Sequence, residues 1–186
     1  EECRSAFAFD IGGGSTELIL GSTSESAERP AARSVDVGCV RMTERFLTTD
    51  PPSPVSLGRM ESHLVTRLKP VLSFMRVDKP DVGIGMAGTV TTISGIKQGL
   101  TRYDSGRIHH SRLRRGEVEE IFRRLASVTV EERKKVMGLE PGRADVIVGG
   151  AAVLRAVMDL AGLDEILVSE KDILDGLVLD TFWRLN

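Results

Sequence analysis

Nowhere does this 186-residue sequence string together the roughly 18 apolar residues that a membrane span needs. It shows no secretory signal peptide either. Cysteine is scarce: Cys3 and Cys39 are the only two, they lack metal-ligand spacing, and they read as reduced thiols of a cytoplasmic protein. Six Phe, one Tyr and one Trp leave the core to aliphatic side chains. A net charge of −2 shows no excess of either sign, which excludes a general attraction to nucleic acid. There is no G-x-x-x-x-G-K-[ST], so this is not a P-loop protein. An initiator methionine is missing too: the chain opens "EECRSAFAFD", already close to a strand, and reads as a fragment of a longer protein.

What is present is an ordinary globular mixture, 41% hydrophobic and 28% charged, enough for one domain or two small lobes. Alternating apolar residues predict strands over 5–10 and 16–21, with a third over 33–38. The polar stretch 22–32 reads as a loop and 39–47 as a short helix. Leu57, Met60, Leu64, Val65, Leu68, Val71, Leu72 and Met75 recur at helical spacing and predict a long amphipathic helix that Pro70 should kink or split. Residues 80–88 read as a strand entering a glycine turn, 89–99 and 144–161 as helices, and 165–169 as a strand. Ser169 and Asp172 then open a last helix with Ile173, Leu174, Leu177 and Val178 inward. Early strands, then strands separated by helices, make the fold class α/β.

The chemistry-bearing stretch is "FAFDIGGGSTELILG", residues 7–21. Three glycines let the backbone turn freely and let a ligand approach without meeting a Cβ. Successive free amides in such a turn form an anion-binding nest, and Ser15 and Thr16 add hydroxyl donors. The acids Asp10 and Glu17 fit beside an anion if a divalent cation lies between, because Mg²⁺ takes one or two carboxylates together with water and phosphate oxygens. If the two flanking strands pair as a hairpin, Asp10 and Glu17 share one ion; the alternative is a tight hairpin with surface acids.

"GIGMAG" (83–88) matches G-x-G-x-x-G, and Asp104 follows at a tempting distance. A dinucleotide site would need a strand ending in that acid, whereas 97–106 is polar and loop-like. What survives is a second strand-to-helix turn in which Gly85, Gly88 and Thr89 face a phosphate. Two such turns opening on one cleft suit a polyphosphate.

Residues 102–135 carry ten Lys or Arg against six acids. Val118, Ile121, Phe122 and Leu125 form a helical stripe braced by Glu119/Arg123 and Glu120/Arg124, and Thr129 with Glu132 is a capping box. Arg107, His109, His110, Arg112, Arg114 and Arg115 read either as a solvated face or as a track for a long polyanion. The two adjacent histidines, taken as strand residues, would point to opposite faces. Arg143 and Asp145 read as a structural ion pair or as site residues, and Gly149-Gly150 as a place of close helix packing.

"FDIGGGSTEL", "VGCVRMTERF", "GMAGTVTT", "GRADVIVGGAAVL" and "DGLVL" occur in the order seen in the exopolyphosphatase/guanosine pentaphosphate phosphohydrolase (Ppx/GppA) family, which the whole chain resembles. Sugar kinases and actins lack the S-x-E continuation of the first block. The resemblance implies an actin-like ATPase (ribonuclease H-like) lobe, with a mixed sheet flanked by helices. It implies that Asp10 and Glu17 are the catalytic acids that hold Mg²⁺ (or Mn²⁺), and that Gly12, Gly13, Gly14, Ser15, Gly88 and Thr89 bind phosphate. The implied reaction is release of the terminal phosphate from inorganic polyphosphate, or from pppGpp, by water. The implied partners are polyphosphate or guanosine penta- and tetraphosphate, no nucleic acid, no membrane, and a second copy in a homodimer. Family members begin with another lobe whose catalytic glutamate precedes this block; Glu1 and Glu2 are too near Asp10 to match it. Residues 1–186 are thus expected to be the second lobe alone, inactive by itself. A non-hydrolytic sensor of (p)ppGpp or polyphosphate is the alternative.

Overall fold

The computed structural model describes residues 5–22, 30–172, 175, 176, 178, 181 and 182. Most of the loop expected at 22–32, Cys3, and Ile173, Leu174 and Leu177 of the expected last helix lie outside these residues.

The first strand, β1 (Ser5–Ile11), turns directly into β2 (Thr16–Ser22), which pairs with it antiparallel. Alternation decides their faces: Phe7, Phe9, Ile11 and Leu18 are wholly buried, while Ala8, Asp10 and Glu17 lie on the other face, half-buried. Each buried side chain of this size contributes on the order of 2 kcal/mol of apolar burial. β3 (Ala31–Val35) continues the meander at one edge. β4 (Val82–Met86) and β6 (Glu165–Val168) extend the sheet in parallel on the other side of β1, and β5 (Arg112–Arg114) closes the far edge antiparallel to β6. The order is β3-β2-β1-β4-β6-β5, a mixed sheet as expected.

Helices α1 (Cys39–Phe46), α2 (Pro54–Phe74), α3 (Ala87–Gln98) and α5 (Arg115–Ala126) pack against α7 (Ile147–Ala161), whose body is almost entirely buried. Gly149 and Gly150 permit this approach: a Cβ on Gly149 would stand 2.6 Å from the Cys39 carbonyl oxygen, and one on Gly150 would stand 2.7 Å from Thr89 Oγ1. Short helices α4 (Ser105–Ile108) and α6 (Val130–Arg133) fill the connections, the second opened by the Thr129/Glu132 capping box.

Two expectations change. Pro70 does not split α2, which runs on to Phe74; the residue sits on the exposed side of the helix. Ser53 caps the start of this helix, and Met60, Leu64, Leu68 and Leu72 form its buried stripe. Arg133, counted with the basic surface, is 2% exposed. It donates from Nε to the Leu125 carbonyl at 2.6 Å and faces Asp50 at 3.6 Å, fastening α6 to the end of α5. Asp104, expected in a polar connection and not at a strand end, caps α4 by accepting from the Arg107 amide. No helix among the described residues is long and apolar enough to cross a membrane.

Candidate phosphate and metal site

Strand pairing sets Asp10 directly opposite Glu17 and Ile11 opposite Thr16, so both acids share one face at the mouth of the hairpin. The Gly12 amide donates to the Ser15 carbonyl at 3.0 Å and closes the turn. Gly12 is therefore not a free donor to phosphate. Thr16 is not free either: its buried hydroxyl donates to the Val37 carbonyl at 2.5 Å.

The remaining polarity of the turn is set by α1. A helix starts with amides that have no partner inside it. Here they find the glycines. Cys39 N–H donates to Gly12 O at 2.9 Å, and Val40 and Arg41 N–H donate to Gly13 O at 3.0 and 3.1 Å. The Arg41 side chain adds a bond from Nε to Gly14 O at 2.7 Å. In a trans peptide the carbonyl and the following amide point in opposite directions. With three successive carbonyls turned toward α1, the amides of Gly13, Gly14 and Ser15 are turned away from it. Among the described residues none of those three amides donates a hydrogen bond. The N-terminus of α1 is consumed as scaffold, and the turn carries the free donors.

The acids are crowded. Burial raises the Asp10 carboxyl above its ordinary range, and the neighbouring Glu17 and Asp172 carboxylates raise it further. Glu17 Oε1 accepts from Ser15 Oγ at 2.7 Å and from Ser34 Oγ at 2.8 Å. The Ser15 hydroxyl thus orients Glu17 and leaves the Ser15 amide as its donor to a ligand. Asp172, read from sequence only as a helix opener, reaches this site because β6 runs parallel beside β4. Among the described residues there is no cluster of three or more His, Cys, Asp or Glu that could cage a metal. Two opposed carboxylates of like charge, with only oxygen donors nearby, nevertheless fit a hard cation that keeps water and phosphate oxygens as its other ligands.

The second glycine turn arrives beside the first, since β4 pairs with β1 so that Met86 lies level with Asp10. Gly85 belongs to the strand and is packed among Phe9, Val90 and Ile166. Ala87 adopts φ +66, a left-handed conformation that is costly for a residue with a Cβ. Thr89 is 3% exposed and stands against Gly150, so it serves helix packing; Thr91 and Thr92 line the cleft in its place. This cleft, about 670 Å³, is also lined by Gly88, Tyr103, Arg143 and Asp172. Arg143 lies across Gly88, where a Cβ would fall 2.1 Å from Nη1. It pairs with Glu140 at 3.4 Å and not with Asp145, whose carboxylate accepts from the Val146 amide.

The sequence model of the Ppx/GppA phosphatase family matches residues 4–184. The chain belongs to the Ppx/GppA phosphatase family. Exopolyphosphatase 2 of Mycobacterium tuberculosis is 41% identical over 174 residues, covering 91% of this chain and 53% of that protein. A bifunctional 3-dehydroquinate synthase/phosphatase of Fusobacterium nucleatum is 33% identical over 92% of this chain and 25% of its own length. The crystal structure of the Aquifex aeolicus Ppx/GppA family member superposes with a TM-score of 0.88 at 26% identity, covering all of this chain and 58% of that one. An exopolyphosphatase-like protein superposes with a TM-score of 0.90 at 33% identity, over 98% of this chain and 59% of that one. The fold is the α/β, actin-like lobe expected from the sequence. The chain spans about half the length of the exopolyphosphatase it matches.

In this Ppx/GppA chain the basic stretch is largely neutralised. Glu165 takes Arg112 at 2.5 Å and Arg114 at 3.5 Å, and Arg115 faces Asp159 and Asp164 at 3.4 and 3.3 Å. Arg107 has no ion pair among the described residues and lines a second, open cavity of about 420 Å³. His109 and His110 are not strand residues pointing apart. A left-handed φ of +63 at His110 folds the rings together, 3.8 Å between centroids, and His109 Nδ1 accepts from the Glu170 amide.

Tyr103, the only tyrosine, donates its hydroxyl to both carboxylate oxygens of Glu170, at 2.6 and 2.5 Å. Partial desolvation of a residue that is still 66% exposed, followed by the Glu170 bond, pushes its pKa from 10.0 up to about 12. Alkaline titration followed by near-ultraviolet absorbance should therefore show a single late phenol transition, and Glu170→Gln should bring it earlier. A wild-type midpoint at the ordinary value would show that this bond does not form.

Proposed function

We propose that this chain is the second, metal- and phosphate-holding lobe of an exopolyphosphatase-type hydrolase, which releases the terminal phosphate of inorganic polyphosphate or pppGpp with Mg²⁺ or Mn²⁺. One observation carries the reading. The outward amides of Gly13, Gly14 and Ser15 stand at the same hairpin mouth as the opposed acids Asp10 and Glu17. The relatives named exopolyphosphatase support polyphosphate as the substrate class.

Hydrolysis of a phosphoanhydride is mostly a problem of placing charge and aligning the attacking water. The turn amides hold phosphate oxygens in a geometry fixed before the ligand arrives, so little ordering is left for the binding step. Asp10 and Glu17 hold the cation, which when bound neutralises charge on the phosphate oxygens. Arg143, across Gly88, supplies positive charge in the neighbouring cleft, which Asp172 also lines. Orienting the water is a role these residues do not fill, and the family resemblance assigns it to a glutamate preceding this block.

The test is phosphate release by the full-length gene product from polyphosphate and, separately, from pppGpp, with Mg²⁺ and an Asp10→Ala control. Release from polyphosphate that vanishes in the control is expected. Tight binding of either compound without release would make the protein a sensor and overturn the hydrolase reading.

A further inference from the structure

We propose that Arg41 is a positioning residue for the phosphate turn, fixing the Gly14–Ser15 peptide so that the Ser15 amide faces the phosphate. This rests on the reading that the turn binds phosphate. The three outward amides are not held in the same way. The peptides that present Gly13 and Gly14 N–H are fixed by the backbone amides of Cys39, Val40 and Arg41, which almost any sequence could supply. The third peptide gets no helix amide. Its carbonyl, Gly14 O, is held only by Arg41 Nε at 2.7 Å among the described residues.

The other contacts of this side chain are loose. Nη2 approaches Asp36 at 3.7 Å, and Asp36 approaches Arg67 at 3.8 Å. All three side chains are about half exposed or more, at 49, 70 and 47%, so these pairs add little. The guanidinium lies beside Gly14, where an added Cβ would be 3.7 Å from Nη2. Arg41 fills no core space, and its removal leaves no cavity. Its one directed bond goes to the turn, and it lies on the α1 side of the peptide, opposite the amides. The residue therefore aims a donor without itself touching the ligand.

Arginine is the side chain the geometry requires. Nε is a planar donor set back along the stem, where lysine has only the methylene carbon Cε; its ammonium is a hydrated point charge one bond farther out. Charge and direction are thus separable by substitution.

The experiment measures KM and kcat for tripolyphosphate hydrolysis, together with tripolyphosphate binding by calorimetry and the thermal midpoint. It uses the full-length gene product as wild type, Arg41→Ala and Arg41→Lys. Both variants are expected to raise KM roughly tenfold, the size of one charge-assisted hydrogen bond, with kcat within about twofold. Thermal midpoints should stay at the wild-type value, and millimolar guanidinium should restore the alanine variant. Lysine behaving as wild type would make charge alone sufficient and overturn the proposal. So would an unchanged KM in both variants, or a loss of KM and kcat together with the cooperative melt. Wild-type protein that neither hydrolyses nor binds tripolyphosphate would sink the phosphate reading itself, whereas active wild type matched by the alanine variant sinks only the role of Arg41.

Discussion

Replacing Asp10 with Asn in the full-length gene product is expected to lower phosphate release by about 10³-fold while leaving the protein no less stable. The two halves of that expectation come from the same geometry. Asn keeps the shape of Asp and one oxygen, but it removes half of the carboxylate pair that opposes Glu17 across the hairpin. A hard cation then loses a charged ligand, and the phosphate loses the charge neutralisation that cation gives.

Stability moves the other way. Burial, then Glu17, then Asp172 raise the Asp10 carboxyl, so the folded protein holds that proton more tightly than the unfolded chain. Stability is consequently lost as pH climbs from the ordinary 3.8 through the raised folded value, and the penalty is complete above it. Asparagine cannot ionise and escapes it. Metal-free melts of the variant should lie at or above those of wild type, and added Mg²⁺ should raise the wild-type melt alone. A variant within tenfold of wild-type turnover would remove Asp10 from the chemistry. A lower metal-free melt would mean that its charge stabilises the fold.

Much of the hairpin was legible because both of its signals are local. Alternation fixed the faces of β1 and β2, and the three glycines between them marked the turn. The long helix and the Thr129 cap were equally local. The illegible parts depend on residues far apart in sequence. Arg41 meets Gly14 27 positions away, and nothing in "GCVR" announces it. Asp172 enters the site through the parallel placement of β4 and β6. Thr89 reads as the turn's hydroxyl because it follows the glycine, and Thr91 and Thr92 stay hidden because α3 is buried along most of its length, so no polar stripe marks its ligand side. Only Gly150 on α7 decides that Thr89 faces inward. Counting charge over 102–135 could not reveal that Glu165, Asp159 and Asp164 answer Arg112, Arg114 and Arg115.

Gly38→Ala tests whether the turn depends on its seat on α1, and it should cost about 3 kcal/mol of stability. The reason is contact, since φ −140 and ψ 167 at Gly38 are extended values open to any residue. An added Cβ would stand 2.5 Å from Gly13 O, 2.6 Å from Gly13 C and 2.7 Å from Gly12 O, all backbone atoms with no rotamer to yield. Either α1 or the turn must move, and each movement stretches the bonds from Cys39, Val40 and Arg41 that orient the amides. A displacement near 1 Å at a reacting phosphate costs about 10²-fold in rate, so activity should fall even where the variant remains folded. Gly58→Ala is the matched control. It lies on the exposed face of α2 with nothing within 4 Å of the new Cβ, and the same substitution there should stabilise by up to about 1 kcal/mol. Urea unfolding of both variants gives the two signs directly. Equal midpoints for Gly38→Ala and wild type would show that the glycine turn does not rest on the start of α1, and the outward direction of its amides would lose its cause.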